Sequence, residues 1–243
     1  MTVARGVLVL LVIWQGAVWL LAPPHFLLPA PLDVAETLIA RRDFLAHHAA
    51  LTLGEIGLGL IFGSLAGILT ALVAAAVPGA AALVWPAVVV LQALPVFAIA
   101  PLLVLWFGFG LASKVVMAGL IIFFPVASNF ADGLRRTEPE ILEAAALSGA
   151  GRTRILISIR IPLALPALVS GLRIAAPLAP LGAVIGEWVG ASGGLGFIMI
   201  QANARMQTDI LFAALLILAV LTLALRFLVD ELGGLLVPWA REG

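Results

Sequence analysis

Three ionisable side chains fall inside long apolar runs of the sequence: Glu55, Arg173 and Glu187. A charge held in lipid is costly, so each is a candidate for work done inside a membrane. Glu55 or Glu187 could neutralise Arg173, although spacing alone does not show whether they meet. Glu187 has a second reading, as an exposed residue of an outer loop. Pro95 interrupts another apolar run, where its missing N–H leaves a backbone carbonyl in need of a partner. Other apparent motifs fall away. His47 and His48 are adjacent, so on a helix they diverge and make a poor metal pair; solvated loop histidines are expected. Gly108-x-Gly110 follows an apolar segment rather than a strand, which argues against a dinucleotide loop. There is no G-x-x-x-x-G-K-[ST] loop to cradle a nucleotide, and no cysteine for a disulfide or thiolate metal centre. No nucleophile, acid–base or metal constellation suggests that the chain is itself an enzyme.

Elements that could hold such residues must live in lipid. The 243 residues are 63% hydrophobic and 11% charged, with a mean hydropathy of +1.21. Soluble domains carry about 25% charged residues, far more than this chain can place on a wet surface. The zero net charge gives no reason to expect a nucleic-acid partner. A lipid-crossing helix needs about 20 apolar residues. Six stretches approach that, at about 7–22, 52–76, 84–106, 112–131, 162–186 and 210–229. The expected fold is therefore all-α, a polytopic membrane protein with about six transmembrane helices. Residues 1–50 form an N-terminal anchor and a polar connection, and residues 51–243 a core of five helices. The alternative for the first stretch is a signal peptide, but Trp14, Gln15 and Trp19 interrupt it and no A-x-A site follows. Gly59, Gly63 and Gly67 stack on one helical face and suit close backbone packing. Pro95, Pro101, Pro166, Pro177 and Pro180 make the third and fifth helices candidates to line a pathway, with simple packing kinks as the alternative.

Basic residues set the orientation. Arg5, Arg135, Arg136, Arg152, Arg154, Arg160, Arg226 and Arg241 share one side, against Arg41, Arg42, Lys114 and Arg205 on the other. The richer side is expected to be cytoplasmic, with both termini there. The most charged connection, 132–160, lies on that side. Within it Thr137 and Glu140 suit a capping box, Glu138, Glu140 and Glu143 complement a helix dipole, and Ala144, Ala145 and Ala146 favour helix. Gly149 and Gly151 can end it. A short cytoplasmic helix results, with Ile141, Leu142, Ala145 and Ala146 suited to a groove on a soluble partner. Arg152, Arg154 and Arg160 are expected at the lipid headgroups.

This segment resembles the EAA loop of ATP-binding-cassette importer permeases, whose pattern is E-A-A-x3-G-x9-I-x-L-P. Glu143-Ala144-Ala145, Gly149, Ile159 and Pro162 stand at the required spacing, and Ile161 replaces the Leu. The resemblance implies a type I importer permease-like fold in a bacterial cytoplasmic (inner) membrane, with a coupling helix within 137–162 that docks on a separate ATPase subunit. It also implies a permease homodimer and an extracytoplasmic substrate-binding protein. ATP and Mg would be bound by the partner ATPase, leaving no cofactor in this chain. Leu28-Pro29-Ala30-Pro31, and Leu94-Pro95 through Trp106-Phe107-Gly108, look like the nitrate, alkanesulfonate, taurine and thiamin-precursor group. Gly186-Glu187-Trp188, Gly194-Leu195-Gly196 and Gln201 to Asp209 look most like its hydroxymethylpyrimidine branch. A single intramembrane arginine favours a neutral or cationic cargo over an anion. An ion-coupled secondary transporter is the rival reading, with Glu55 as its one deep acid.

Overall fold

The computed structural model describes residues 2–241, and the described residues are helical throughout, without strands. In chain order the helices are α1 (Thr2–Leu21), α2 (Pro31–Ala40), α3 (Arg42–Ala76), α4 (Ala80–Ala93), α5 (Val96–Phe107), α6 (Leu111–Arg135), α7 (Pro139–Leu147), α8 (Arg152–Ile155), α9 (Ile161–Ala175), α10 (Ala179–Gly190), α11 (Leu195–Ala204) and α12 (Thr208–Leu236). Four described spans are long and apolar enough to cross a membrane: α3, α6, the stack Arg152–Gly190, and α12. The apolar part of α1, Arg5–Leu21, falls slightly short of the other spans.

The third span is not the single helix that 84–106 suggested. It is α4 and α5, bent by 98° where Leu94 and Pro95 interrupt the helix. Pro95 cannot donate a backbone hydrogen bond and favours an extended residue before it, so the helix must stop and restart there. The bent pair nevertheless carries the chain across. Trp85 in α4 packs under Arg135 at the far end of α6, whereas Val104 in α5 lies against Gly190 at the opposite end.

At the centre is α6, gripped on two sides. Beside α3 it runs parallel: Cβ atoms added at Gly59, Gly63 and Gly67 would lie 2.5 Å from Ala118 Cβ, 2.6 Å from the Gly119 carbonyl and 2.9 Å from the Phe123 carbonyl. The ridge seen in the sequence is thus a close backbone contact, where lipid provides no hydrophobic drive and dispersion has to supply the attraction. Against α6 the α9–α10 stack runs antiparallel, with Ala164, Leu168, Ala175, Ala179 and Ala183 in the shared core.

Two elements begin earlier or run longer than expected. The connection 23–50 is largely helical, because α2 occupies Pro31–Ala40 and α3 starts at Arg42, so residue 50 lies inside a helix. The fifth span is a stack of 39 residues from Arg152 to Gly190. A π turn over Leu156–Arg160 precedes Pro162. Pro162 has no N–H for the carbonyl four residues back and its ring crowds that turn, so the helix widens there. A 3-10 turn over Ala176–Leu178 accompanies Pro177 and Pro180. α1 and α12 run antiparallel, tied by Trp14 against Phe212 and by the Thr208 hydroxyl donating to the His25 carbonyl. Both ends of the described chain therefore lie on one side of the bundle, the side that carries α7.

Candidate functional site

On that side, α7 is a nine-residue helix with no buried residue. Glu143 and Ala144 are exposed, Ala145 is half-buried, and Leu147 is 90% exposed. The helix is connected at its two ends but carries no core of its own. Its start differs from the expected capping box: Glu138 is the N-cap residue and no side chain caps the helix. Thr137 is instead buried, its hydroxyl without a hydrogen-bond partner. The end is closed by a Schellman motif. Gly149 N–H donates to Ala146 and Ala150 N–H to Ala145, with Gly149 at φ +80°. That conformation costs a non-glycine residue about 1 kcal/mol or more, so the glycine of the EAA pattern is there to turn the chain. Gly151 has an ordinary extended backbone and precedes α8.

The remaining motif residues anchor the loop to the bundle. Ile159 lies in the π turn and Pro162 just beyond it. Arg160 does not reach outward to headgroups: its Nε and Nη2 donate to the Leu134 carbonyl at 3.0 and 2.9 Å. Carbonyls at a helix C-terminus have no intrahelical donors, so this guanidinium fastens the end of α6 to the start of the next span.

The intramembrane charges pair differently from the expectation. Arg173 meets neither Glu55 nor Glu187. Its Nε lies 2.8 Å from Asp230 on α12. Arg226 donates to the same carboxylate at 2.9 Å and to the Arg173 carbonyl at 2.7 Å. That carbonyl is the one whose helical donor would have been residue 177. Because residue 177 is proline, Arg226 supplies the missing hydrogen bond. The sequence held that signal in the Pro177 spacing, and Arg226 and Asp230 were missed as its answer.

At the opposite end of the bundle, Glu55 is 3% exposed and pairs with Lys114 at 3.2 Å, joining α3 to α6. Glu187, expected in an exposed loop, is 1% exposed. Its carboxylate accepts from the Thr52 hydroxyl at 2.6 Å and from the backbone N–H groups of Gly196 and Phe197 in the first turn of α11. The Leu195 N–H donates to Thr52 Oγ1 at 2.8 Å, and the Gly194 N–H to His48 Nδ1 at 3.0 Å. An anion against free N–H groups at a helix start is favourable through both hydrogen bonds and dipole. Gly194, at φ +110°, has no room for a Cβ, which would overlap the Glu187 carboxylate. His47 is exposed as expected, but His48 is buried in this network. His48, Thr52 and Glu55 recur at i, i+4 and i+7 on α3, the one local hint of a shared polar face.

Between these ends lies a cleft of about 1530 Å³ lined by α3, the bent α4–α5 pair, α6 and the 3-10 turn. Phe62, Trp106, Phe107 and Phe124 contribute aromatic surface, while Gln92, Ser128 and Asn129 supply the polar groups; no charged residue lines it among the described residues. Leu94 and Val96 flank the bend and line the cleft, with Pro95 between them shaping it rather than facing it.

Residues 52–242 match the family described as binding-protein-dependent transport system inner membrane component. The chain belongs to this family. It is an ATP-binding-cassette importer permease subunit, and transport proteins of this kind work with a separate ATPase and a binding protein. The chain is 51% identical over 224 residues to a probable ABC transporter permease protein of Haemophilus influenzae, covering 92% of this chain and 91% of the relative. It is 34% identical to the formylaminopyrimidine transport permease ThiX of Halalkalibacterium halodurans, covering 97% and 94% of the two chains. It is 39% identical to the riboflavin transport permease RibX of Chloroflexus aurantiacus, covering 96% and 87%. In three dimensions it resembles an inward-facing MetNI methionine ABC transporter chain, with TM-score 0.69 and 20% identity over 79% of this chain and 95% of that one. At that identity the likeness is one of fold, and it agrees with the type I importer permease architecture expected from the EAA loop.

Proposed function

We propose that two copies of this chain form the membrane pathway of an importer for a small, flat nitrogen heterocycle, a pyrimidine thiamin precursor being the favoured cargo. A binding protein outside delivers the cargo, and an ATPase inside receives α7 as its coupling helix. In this reading α7 and both termini face the cytoplasm, which the excess of arginine on that side supports. Glu143, Ala144, Ala145 and Gly149 meet the ATPase, while Ile159 and Pro162 join the helix to the fifth span. The observation that carries the mechanism is α7 itself: a helix with no buried residue, bounded by a glycine turn and set between two spans that Arg160 ties to each other. Such a helix has a free face for a partner and a stiff route for passing on its displacement.

The cargo follows from the cleft. Its lining is apolar and aromatic with amide and hydroxyl groups, which suits a heterocycle that stacks and exchanges neutral hydrogen bonds. Arg173 is occupied by Asp230 and Lys114 by Glu55, so neither offers a free cation to nitrate, a sulfonate or taurine. The permeases for formylaminopyrimidine and riboflavin among its relatives carry heterocycles, which points the same way. Nitrate, alkanesulfonate or taurine remains the second reading, from the sequence resemblance. Uptake of radiolabelled hydroxymethylpyrimidine into proteoliposomes with the cognate ATPase and binding protein tests the choice. ATP-dependent uptake that excess taurine leaves unchanged is expected. Uptake of taurine but not the pyrimidine would overturn the cargo, and uptake driven by an ion gradient without ATP would overturn the importer reading.

A further inference from the structure

The stack Arg152–Gly190 begins next to α7 and carries Glu187 near its other end, so one helical piece connects the cytoplasmic loop to the outer polar network. It is interrupted only by the π turn at Leu156–Arg160 and the 3-10 turn at Ala176–Leu178. Irregular turns of this sort are where a long helix can bend. We propose that Glu187 is a positioning residue for transport, the joint through which movement of this stack is passed to α11 and α3 at the outer mouth. The proposal rests on the reading of the chain as an ATP-driven permease.

The chemistry of the joint suits making and breaking. Every partner of the Glu187 carboxylate belongs to another element: the Thr52 hydroxyl on α3, and the Gly196 and Phe197 amides that open α11. A packed apolar contact would hold these helices with no desolvation cost and little dependence on exact position, whereas a buried carboxylate is tolerated where its hydrogen bonds are made and strongly unfavourable where they are lost. That contrast gives a two-position element rather than a soft one. Further polar groups adjoin this joint. Glu55 Oε2 is buried without a hydrogen-bond partner. Lys114, paired with Glu55, packs against Gly186, the residue before Glu187. Movement of α10 against α6 would break the Glu187 contacts beside the Glu55–Lys114 pair. His48, which accepts from the Gly194 N–H, is the remaining polar side chain facing this loop from α3.

The test uses the assembled permease, ATPase and binding protein in proteoliposomes, with Glu187→Gln and Thr52→Val. The chain lacks cysteine, so Ile200→Cys on α11, 43% exposed, reports the outer mouth through its rate of labelling by a membrane-impermeant maleimide. In the parent, labelling should change with ATP, and liganded binding protein should stimulate ATP hydrolysis. Glu187→Gln should lower that stimulation by about tenfold, the scale of a moderate coupling between two sites, and make Ile200→Cys labelling indifferent to ATP. Thr52→Val should act in the same direction by a smaller factor. Normal stimulation and ATP-dependent labelling per assembled complex would overturn the proposal, including the case where only thermal stability falls. Should Glu187→Gln not assemble, the same two readouts on Thr52→Val decide. A parent complex without ATP-driven uptake would instead sink the permease reading beneath it.

Discussion

The two ends of this molecule handle polar groups in opposite ways. At the arginine-rich end, α7 exposes Glu143, Ala144 and Leu147 and buries nothing of its own. At the other end Glu55, Lys114, Thr52 and Glu187 are almost sealed from solvent, and each is held by a residue of a different helix. On the proposed reading α7 is a surface that has to be presented before a soluble partner arrives, so local helix propensity and the Gly149 turn must shape it. A network that fixes where helices sit has to be buried, because only a low-dielectric setting makes its geometry strict. The difference predicts that damage at the first end leaves a folded but disconnected permease, whereas damage at the second alters the fold or its switching.

The largest effect is expected from Lys114→Ala. Leaving Glu55 buried and unpaired should cost about 3–5 kcal/mol, seen as loss of the folded protein in a detergent thermal-unfolding series. Glu55→Leu combined with Lys114→Met should recover much of that loss, since the pair's removal leaves no stranded charge. If the double variant is as unstable as the single one, the pair is doing something other than neutralising itself. Gly149→Val comes next. A β-branched residue at φ +80° costs about 1–2 kcal/mol locally, which a surface helix cannot offset, so uptake should fall several-fold while membrane insertion and melting temperature hold. Glu143→Arg should leave stability unchanged and separate ATP hydrolysis from uptake; unchanged, substrate-stimulated hydrolysis with normal uptake would contradict a docking role. The smallest change is expected from Asp132→Ala. Its partner Arg135 is three residues away and both are exposed, so about 0.2–1 kcal/mol is at stake, vanishing at high salt.

The same contrast decides what the sequence could tell. The α7 end was legible because its signals are local: the alanine run, Gly149 and the fixed spacing to Ile159 and Pro162 all lie within twenty residues. The span positions were legible from hydropathy, and the Gly59–Gly63–Gly67 ridge from its period. What escaped was long-range. Glu187 and Thr52 are 135 residues apart, and Gly194 and His48 are 146 apart. Nothing in a polar residue near a span end says whether it is wet or is holding another helix. The bend at Leu94–Pro95 was half visible, since proline flagged a kink but not one of 98°. Arg173 was recognised as costly, and its partners Asp230 and Arg226 lay near a span end where charge had seemed free to reach water.

Contact between α7 and the ATPase is the most direct test of the whole account. Leu147 is the most exposed large side chain of that helix, and Leu147→Cys would be the only cysteine in the chain. Cysteine-specific cross-linking in inside-out vesicles should join it to the ATPase subunit, with a yield that changes when ATP is added. Labelling of the same cysteine by an impermeant reagent applied to the outside of intact cells, with no cross-link to the ATPase, would contradict it.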